Sequence, residues 1–139
     1  MLRQVSIILA ATVPLVMGTA ATAQQAAVQA AAEVQTIKRT PLQRFEVPGT
    51  EYETIIGIAE IVPNVNVGRH THPGPESGYI IQGSFELLVE GEASRMLSAG
   101  DSYLIPAGVP HDAITGHDGA KVIATYLIPA GKPLATPVE

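Results

Sequence analysis

The segments GRHTHPGPESGYIIQG (residues 68–83) and GDSYLIPAGVPH (residues 100–111) decide how this chain is read, and between them they hold three of its four histidines. His70 and His72 are two residues apart. In a strand that spacing puts both imidazoles on one face, a few ångströms from one another. Pro73-Gly74-Pro75 cannot continue a regular ladder, so the chain bends before Glu76, and a bend is what swings a carboxylate back toward the two rings. On its own an H-x-H pair reads better as two solvent-facing strand histidines. His111 changes that weighing. It follows the Pro106-Ala107-Gly108 turn, and a chain that reverses across an antiparallel barrel brings a distant residue beside the first two.

Around these segments lies a succession of short β-branched runs punctuated by Gly and Pro, the pattern of an all-β sandwich or barrel. Strands are expected at Thr54–Val62, Gly78–Gln82, Ser84–Val89, Ser94–Leu97, Ser102–Ile105, Asp112–Thr115 and Lys121–Ile128. Gly83, Gly100 and Gly108 are assigned to tight turns that need positive φ. In the last strand Val122, Ala124 and Tyr126 should share one face. Gly116-His117-Asp118-Gly119 reads as a turn with His117 exposed and outside any site. Residues 24–50 read as an Ala/Gln-rich leader and an extended arm that ends at the Pro48-Gly49-Thr50 turn. The barrel should occupy residues 51–130, and residues 131–139 form an extended or loose tail.

The chain is one domain's worth at 139 residues. Residues 1–23 carry Arg3 as their only charge, an apolar run from Val5 to Met17, and the ending Ala21-Thr22-Ala23, the pattern of a secretory signal peptide cleaved after Ala23. The apolar run is shorter than the roughly 20 residues a spanning helix needs. The mature protein is therefore expected in the periplasm or secreted, without a stable membrane anchor. Losing the single charge of Arg3 moves the formal net charge from -5 to -6. So acidic a protein has no electrostatic footprint for nucleic acid. With no cysteine, the fold stands without disulfides and any metal must be held by nitrogen and oxygen, a donor set that suits Mn, Fe, Ni, Cu or Zn. A barrel this small with open strand edges is expected to form a homodimer.

The two segments together resemble the paired motifs of the cupin superfamily, in particular the small single-domain bacterial cupins. His70-x-His72-x3-Glu76-x6-Gly83 is similar to the first motif, and Gly100-x5-Pro106-x-Gly108-x2-His111 to the second. The resemblance implies a small antiparallel β-barrel of jelly-roll type. It further implies that His70, His72, Glu76 and His111 ligate one divalent transition metal in the barrel mouth. Two positions depart from the pattern: Asn64 stands where a glycine is usual, and Thr115 where an asparagine is usual. Asn64 can adopt the left-handed conformation that glycine would supply. Thr115 puts a pocket-lining polar group in question.

Four protein ligands leave open positions for water, dioxygen or a substrate oxygen. The resulting expectation, by analogy with quercetin-dioxygenase-like cupins, is a metal-dependent dioxygenase-like enzyme acting on a small enol, phenol or carboxylic acid, with Glu76 also serving as a base. The alternative is a non-catalytic cupin that binds metal or a small ligand. A sugar isomerase or epimerase is disfavoured, because the His-Asp or Tyr arrangement of such cupins is not evident. Arg69 alternates away from His70 and reads as a surface residue, while Tyr79 and Tyr103 read as pocket or core residues.

Overall fold

The computed structural model describes residues 36–139, all of whose regular elements are strands. The signal peptide expected at residues 1–23 and the leader to Gln35 lie outside the described residues. The strands are β1 (Ile37–Glu46), β2 (Tyr52–Ile61), β3 (His70–Thr71), β4 (Glu76–Val89), β5 (Arg95–Ser98), β6 (Ser102–Ile105), β7 (His111–Pro129) and β8 (Thr136–Pro137). They form a single curled antiparallel sheet, the half-barrel of a double-stranded β-helix. Its spine is the long β4–β7 ribbon, whose pairing runs from Glu76↔Tyr126 to Val89↔His111. On the far side of β7 lie β2 and then β1, with β3 and β8 at the other end. On the far side of β4 lie β5 and β6.

Two pairs of runs expected as separate strands are each one strand. Gly78–Gln82 and Ser84–Val89 fuse into β4, and Asp112–Thr115 and Lys121–Ile128 fuse into β7. The positions assigned to turns between them, Gly83 and Gly116–Gly119, are instead irregularities within the ladder. The register shifts between Ile80 and Gln82 and between Gly83 and Phe85. Burial follows the shift: Glu76, Gly78 and Ile80 point inward before it, and Phe85, Leu87 and Val89 after it. In β7 the phase changes from His111 and Thr115 to Ala120, Val122, Ala124 and Ile128. Gly83 has φ 74° and Gly119 φ 66°, and a Cβ on Gly83 would stand 2.1 Å from the Gly119 carbonyl oxygen. This approach requires glycine at 83, while at 119 a Cβ would stand 2.4 Å from the Ile61 carbonyl oxygen, and the bulge coils the ribbon. The expected turns at Gly100 and Gly108 are present, with φ 99° and 73°.

The phase change gathers Ile80, Phe85, Leu87, Leu97, Ile105 and Val122 into one core. Phe85, Ile80 and Ile105 are its largest fully buried side chains, and Ile128 is fully buried as well. Each stabilises the fold by roughly 1.5–3 kcal/mol through apolar area removed from water. The arm expected before Pro48 is strand β1, paired with β2 from Ile37↔Ile61 to Glu46↔Glu53. Arg44 on β1 donates to the buried Glu53 through Nε and Nη2, at 2.5 and 2.6 Å, and Gly131 N donates to the same carboxylate at 3.2 Å. The tail is likewise engaged: Thr136 and Pro137 pair with Thr71 and His70. Asn64 takes the left-handed conformation, φ 56°. Thr115 is not in the lining of the cavity at the histidines. It is buried with its hydroxyl donating to Val62 O at 2.8 Å and accepting from Val65 N at 3.0 Å, and so ties the β2–β3 connection to β7.

Candidate metal centre

The two motif segments meet because β3 and the start of β7 are neighbours, His70 lying opposite His111. The connection into β3 is fixed first. Gly68 N donates to Asn66 Oδ1 at 2.7 Å and Asp112 Oδ1 at 3.0 Å, and Val67 N donates to Ala113 O at 2.9 Å. Gly108 N donates to His72 O at 2.9 Å, which joins the second segment to the first. The bend at Pro73-Gly74-Pro75 packs directly on β7: a Cβ on Gly74 would meet Leu127 O at 1.8 Å, and Leu127 N donates to Pro75 O at 3.1 Å. Only glycine fits there. The chain leaves the bend into β4 with Glu76 aimed inward.

One ring nitrogen from each of His70, His72 and His111 lies within 4.8 Å of the others. Glu76 Oε2 stands 2.9 Å from His72 Nε2 and 3.3 Å from His111 Nε2. All four residues expected at the site are therefore brought together. His72, Glu76 and His111 are buried, and His70 is partly so. Each ring is oriented through its other nitrogen. Nδ1 of His70, His72 and His111 lies 2.7, 2.6 and 2.9 Å from the carbonyl oxygens of Gly68, Leu134 and Val109. A carbonyl only accepts, so Nδ1 carries the hydrogen in every case and the Nε2 lone pair is left facing inward.

That arrangement tests whether a metal fits. His72 and His111 Nε2 are buried and have no hydrogen-bond partner, although a carboxylate oxygen is close by. Lone pairs and a carboxylate converging in a buried space leave electron pairs facing one another, which costs free energy unless a cation lies among them. The 2.9 and 3.3 Å separations bracket the edge of about 3.0 Å spanned by two donors at right angles and about 2.1 Å from one ion. Imidazole and carboxylate donors held by further hydrogen bonds suit a divalent transition metal. The residues fit such an ion.

Glu76 is further held by Tyr103, whose hydroxyl donates to Oε1 at 2.8 Å. Tyr103 thus does both things open to it in sequence: its ring packs edge-on against Phe85, with centroids 6.0 Å apart, and its hydroxyl reaches the site. It lies across Gly78, where a Cβ would stand 2.3 Å from the ring. Burial alone would raise the Glu76 carboxyl, but the closeness of the His111 and His72 rings and the bond donated by Tyr103 outweigh it and hold the group well below the usual carboxylate range. The Tyr103 and Tyr126 hydroxyls are pushed up by burial and by the Glu76 charge, so both stay protonated at neutral pH.

A cavity of about 60 Å³ opens onto the centre, lined by His70, Glu76, His111, Tyr103, Tyr126 and apolar residues that include Phe85, Leu87 and Val122. Three contributors carry no motif. The Leu134 carbonyl that orients His72 comes from the tail; a backbone acceptor leaves no mark in sequence. Tyr126 packs its ring on His72 with centroids 4.8 Å apart; its inward direction follows from strand alternation, though not its partner. Arg39 reaches the cavity from β1. Arg69 instead pairs with Glu90 at 3.2 Å, and His117 is exposed beside Asp118, both on the surface as expected.

Set beside known proteins, residues 57–129 match the family model described as a cupin domain, and the chain belongs to the cupin family. Comparison with curated proteins finds none that matches. Among solved structures the chain is similar to the DMSP lyase DddQ from Ruegeria pomeroyi DSS-3, at 20% identity and TM-score 0.63 over 74% of this chain and 52% of that one. It thus spans about half the length of that lyase. It is also similar to an RmlC-like cupin from Shewanella frigidimarina NCIMB 400, at 27% identity and TM-score 0.57 over 70% of this chain and 79% of that one. A third is KdgF from Halomonas sp., at 26% identity and TM-score 0.55 over 68% of this chain and 82% of that one.

Proposed function

We propose that this chain is an exported single-domain cupin that holds one divalent transition metal (Mn, Fe, Ni, Cu or Zn) on His70, His72, Glu76 and His111. We propose further that it works as a dioxygenase-like enzyme on a small organic molecule. The observation that carries this reading is the convergence of three histidines, each locked through Nδ1, with a buried carboxylate at the end of an apolar cavity. The metal, when bound, supplies a Lewis acid with open positions that polarise a substrate oxygen. The protein supplies the rest. Phe85, Leu87 and Val122 exclude water from the reacting end of the cavity. Tyr103 fixes Glu76 through Oε1, leaving Oε2 directed at the centre, where it takes the acidic proton of an enol or phenol when not engaged with the ion. Export rests on residues 1–23. Dimerisation rests on the exposed apolar side chains of Tyr79, Ile81, Met96 and Leu104 on β4, β5 and β6.

The second reading is a non-catalytic metal or small-ligand binding module. It is favoured by the cavity wall, whose ionisable side chains are Glu76, His70, His111, Tyr103, Tyr126 and the permanently charged Arg39. Oxygen uptake separates the two. Protein of known metal content is offered enediols, flavonols and oxalate, and the enzyme reading expects consumption that disappears in His72→Ala. Stoichiometric metal without turnover on any of them leaves the binding module as the function.

A further inference from the structure

The metal reading leaves unexplained a cation that the fold places at the cavity mouth. Arg39 lies on β1, outside the residues that match the cupin family model, and lies opposite Ala59 in the β1–β2 pair. Directly opposed residues in an antiparallel pair project to the same face. Ile37, Arg39, Ala59 and Ile61 accordingly line the cavity together. The neighbouring Lys38 projects the other way and is neutralised by Glu60 at 3.5 Å. Arg44 is engaged with Glu53, and Arg69 with Glu90. Arg39 has no carboxylate partner among the described residues, and Glu76, the one acid lining the cavity, is taken up by Tyr103, His72 and His111.

From this placement we infer that Arg39 binds the carboxylate of a small organic acid, whose apolar body lies against the cavity wall and whose far end faces the histidines. The inference deepens the proposed function by naming the substrate class, and it rests on that reading for what meets the far end. The charge balance points the same way. Three neutral imidazoles and one carboxylate around a divalent ion leave one positive charge, and Arg39 adds a second at the mouth, within a largely apolar lining. A guanidinium offers two parallel N–H donors, the geometry that fits a carboxylate side by side. A guanidinium pairs with phosphate in the same way, so inorganic phosphate is the control.

The test is calorimetric titration of full-length mature protein with pyruvate, 2-oxobutyrate and benzoate, with benzamide and inorganic phosphate as controls. Parent, Arg39→Gln and Arg39→Lys are compared, with metal content measured on the same preparations and circular dichroism confirming the fold. At least one carboxylate should bind the parent, weaken tenfold or more in Arg39→Gln and recover in part in Arg39→Lys. Benzamide should bind parent and Arg39→Gln alike, and phosphate should bind more weakly than the best carboxylate. Equal carboxylate affinity in parent and Arg39→Gln, binding of none of the three acids to the parent, or preference for phosphate overturns the assignment. Arg39-dependent binding in protein that takes up no metal would keep the anion site and remove the metal reading. Stoichiometric metal without Arg39 dependence would do the reverse.

Discussion

At the scale of single residues, the Tyr103 hydroxyl is the most separable part of the centre. Tyr103→Phe keeps the ring over Gly78 and removes only the bond to Glu76 Oε1. A group that orients a ligand in this way is worth roughly 10–100-fold in metal affinity, so chelator competition should show a loss of that size with little change in thermal stability. An unchanged affinity would mean that the hydroxyl does not position the carboxylate. Acid acts on the centre through the rings. Glu76, held well below the usual carboxylate range, is already ionised near neutral pH, so protons compete with the metal first at His111, which the nearby Glu76 carboxylate holds above the ordinary imidazole range. Metal affinity should therefore begin to fall as pH drops into the range where His111 takes up its proton, above the ordinary imidazole range, and recover as pH rises. Glu76→Gln should weaken binding at every pH but leave that slope in place. A slope that vanished in this variant would assign the titration to the carboxylate.

At the scale of elements, the tail is where sequence reading and structure part most. Residues 131–139 carry no hydrophobic period, yet β8 pairs with β3, and the Leu134 carbonyl orients His72. Ending the chain after Pro133 should lower metal affinity by roughly 10–100-fold while leaving the β-sheet signal in circular dichroism, because the core lies elsewhere. Retained affinity would show that His72 is oriented without the tail. The site residues on β3, β4 and β7 were legible because residue spacing, a Pro-Gly-Pro bend and the second segment all bear on side chains. The continuity of β4 and β7 was not. Gly83 and Gly116–Gly119 have turn composition, and only the facing partner strand shows that Gly83 and Gly119 are a bulge in which two backbones nearly touch. The shared face of Val122, Ala124 and Tyr126 was read correctly, and the register shift between the halves of the ribbon is a tertiary fact. Gly78→Ala tests the packing of β4 on β6. With the Tyr103 ring 2.3 Å from the new Cβ, it should destabilise the protein by roughly 1–3 kcal/mol in denaturant unfolding, and a neutral effect would contradict that packing.

At the scale of the whole molecule, the curled sheet buries one face around Phe85 and Ile80 and leaves Tyr79, Ile81, Met96 and Leu104 exposed on β4, β5 and β6. If this face joins two copies, light scattering should give twice the chain mass for the parent and a monomer for Leu104→Glu, with the fold intact; a parent that is already monomeric would exclude the dimer. The central claim is narrower than any of this: the fold exists at its mouth to hold one ion. Elemental analysis of the purified protein beside His72→Ala tests it most directly, because removing one ring takes away a proposed ligand and leaves the sheet. The account predicts about one metal ion per chain in the parent and a large loss in the variant. Equal metal content in the two proteins would contradict it.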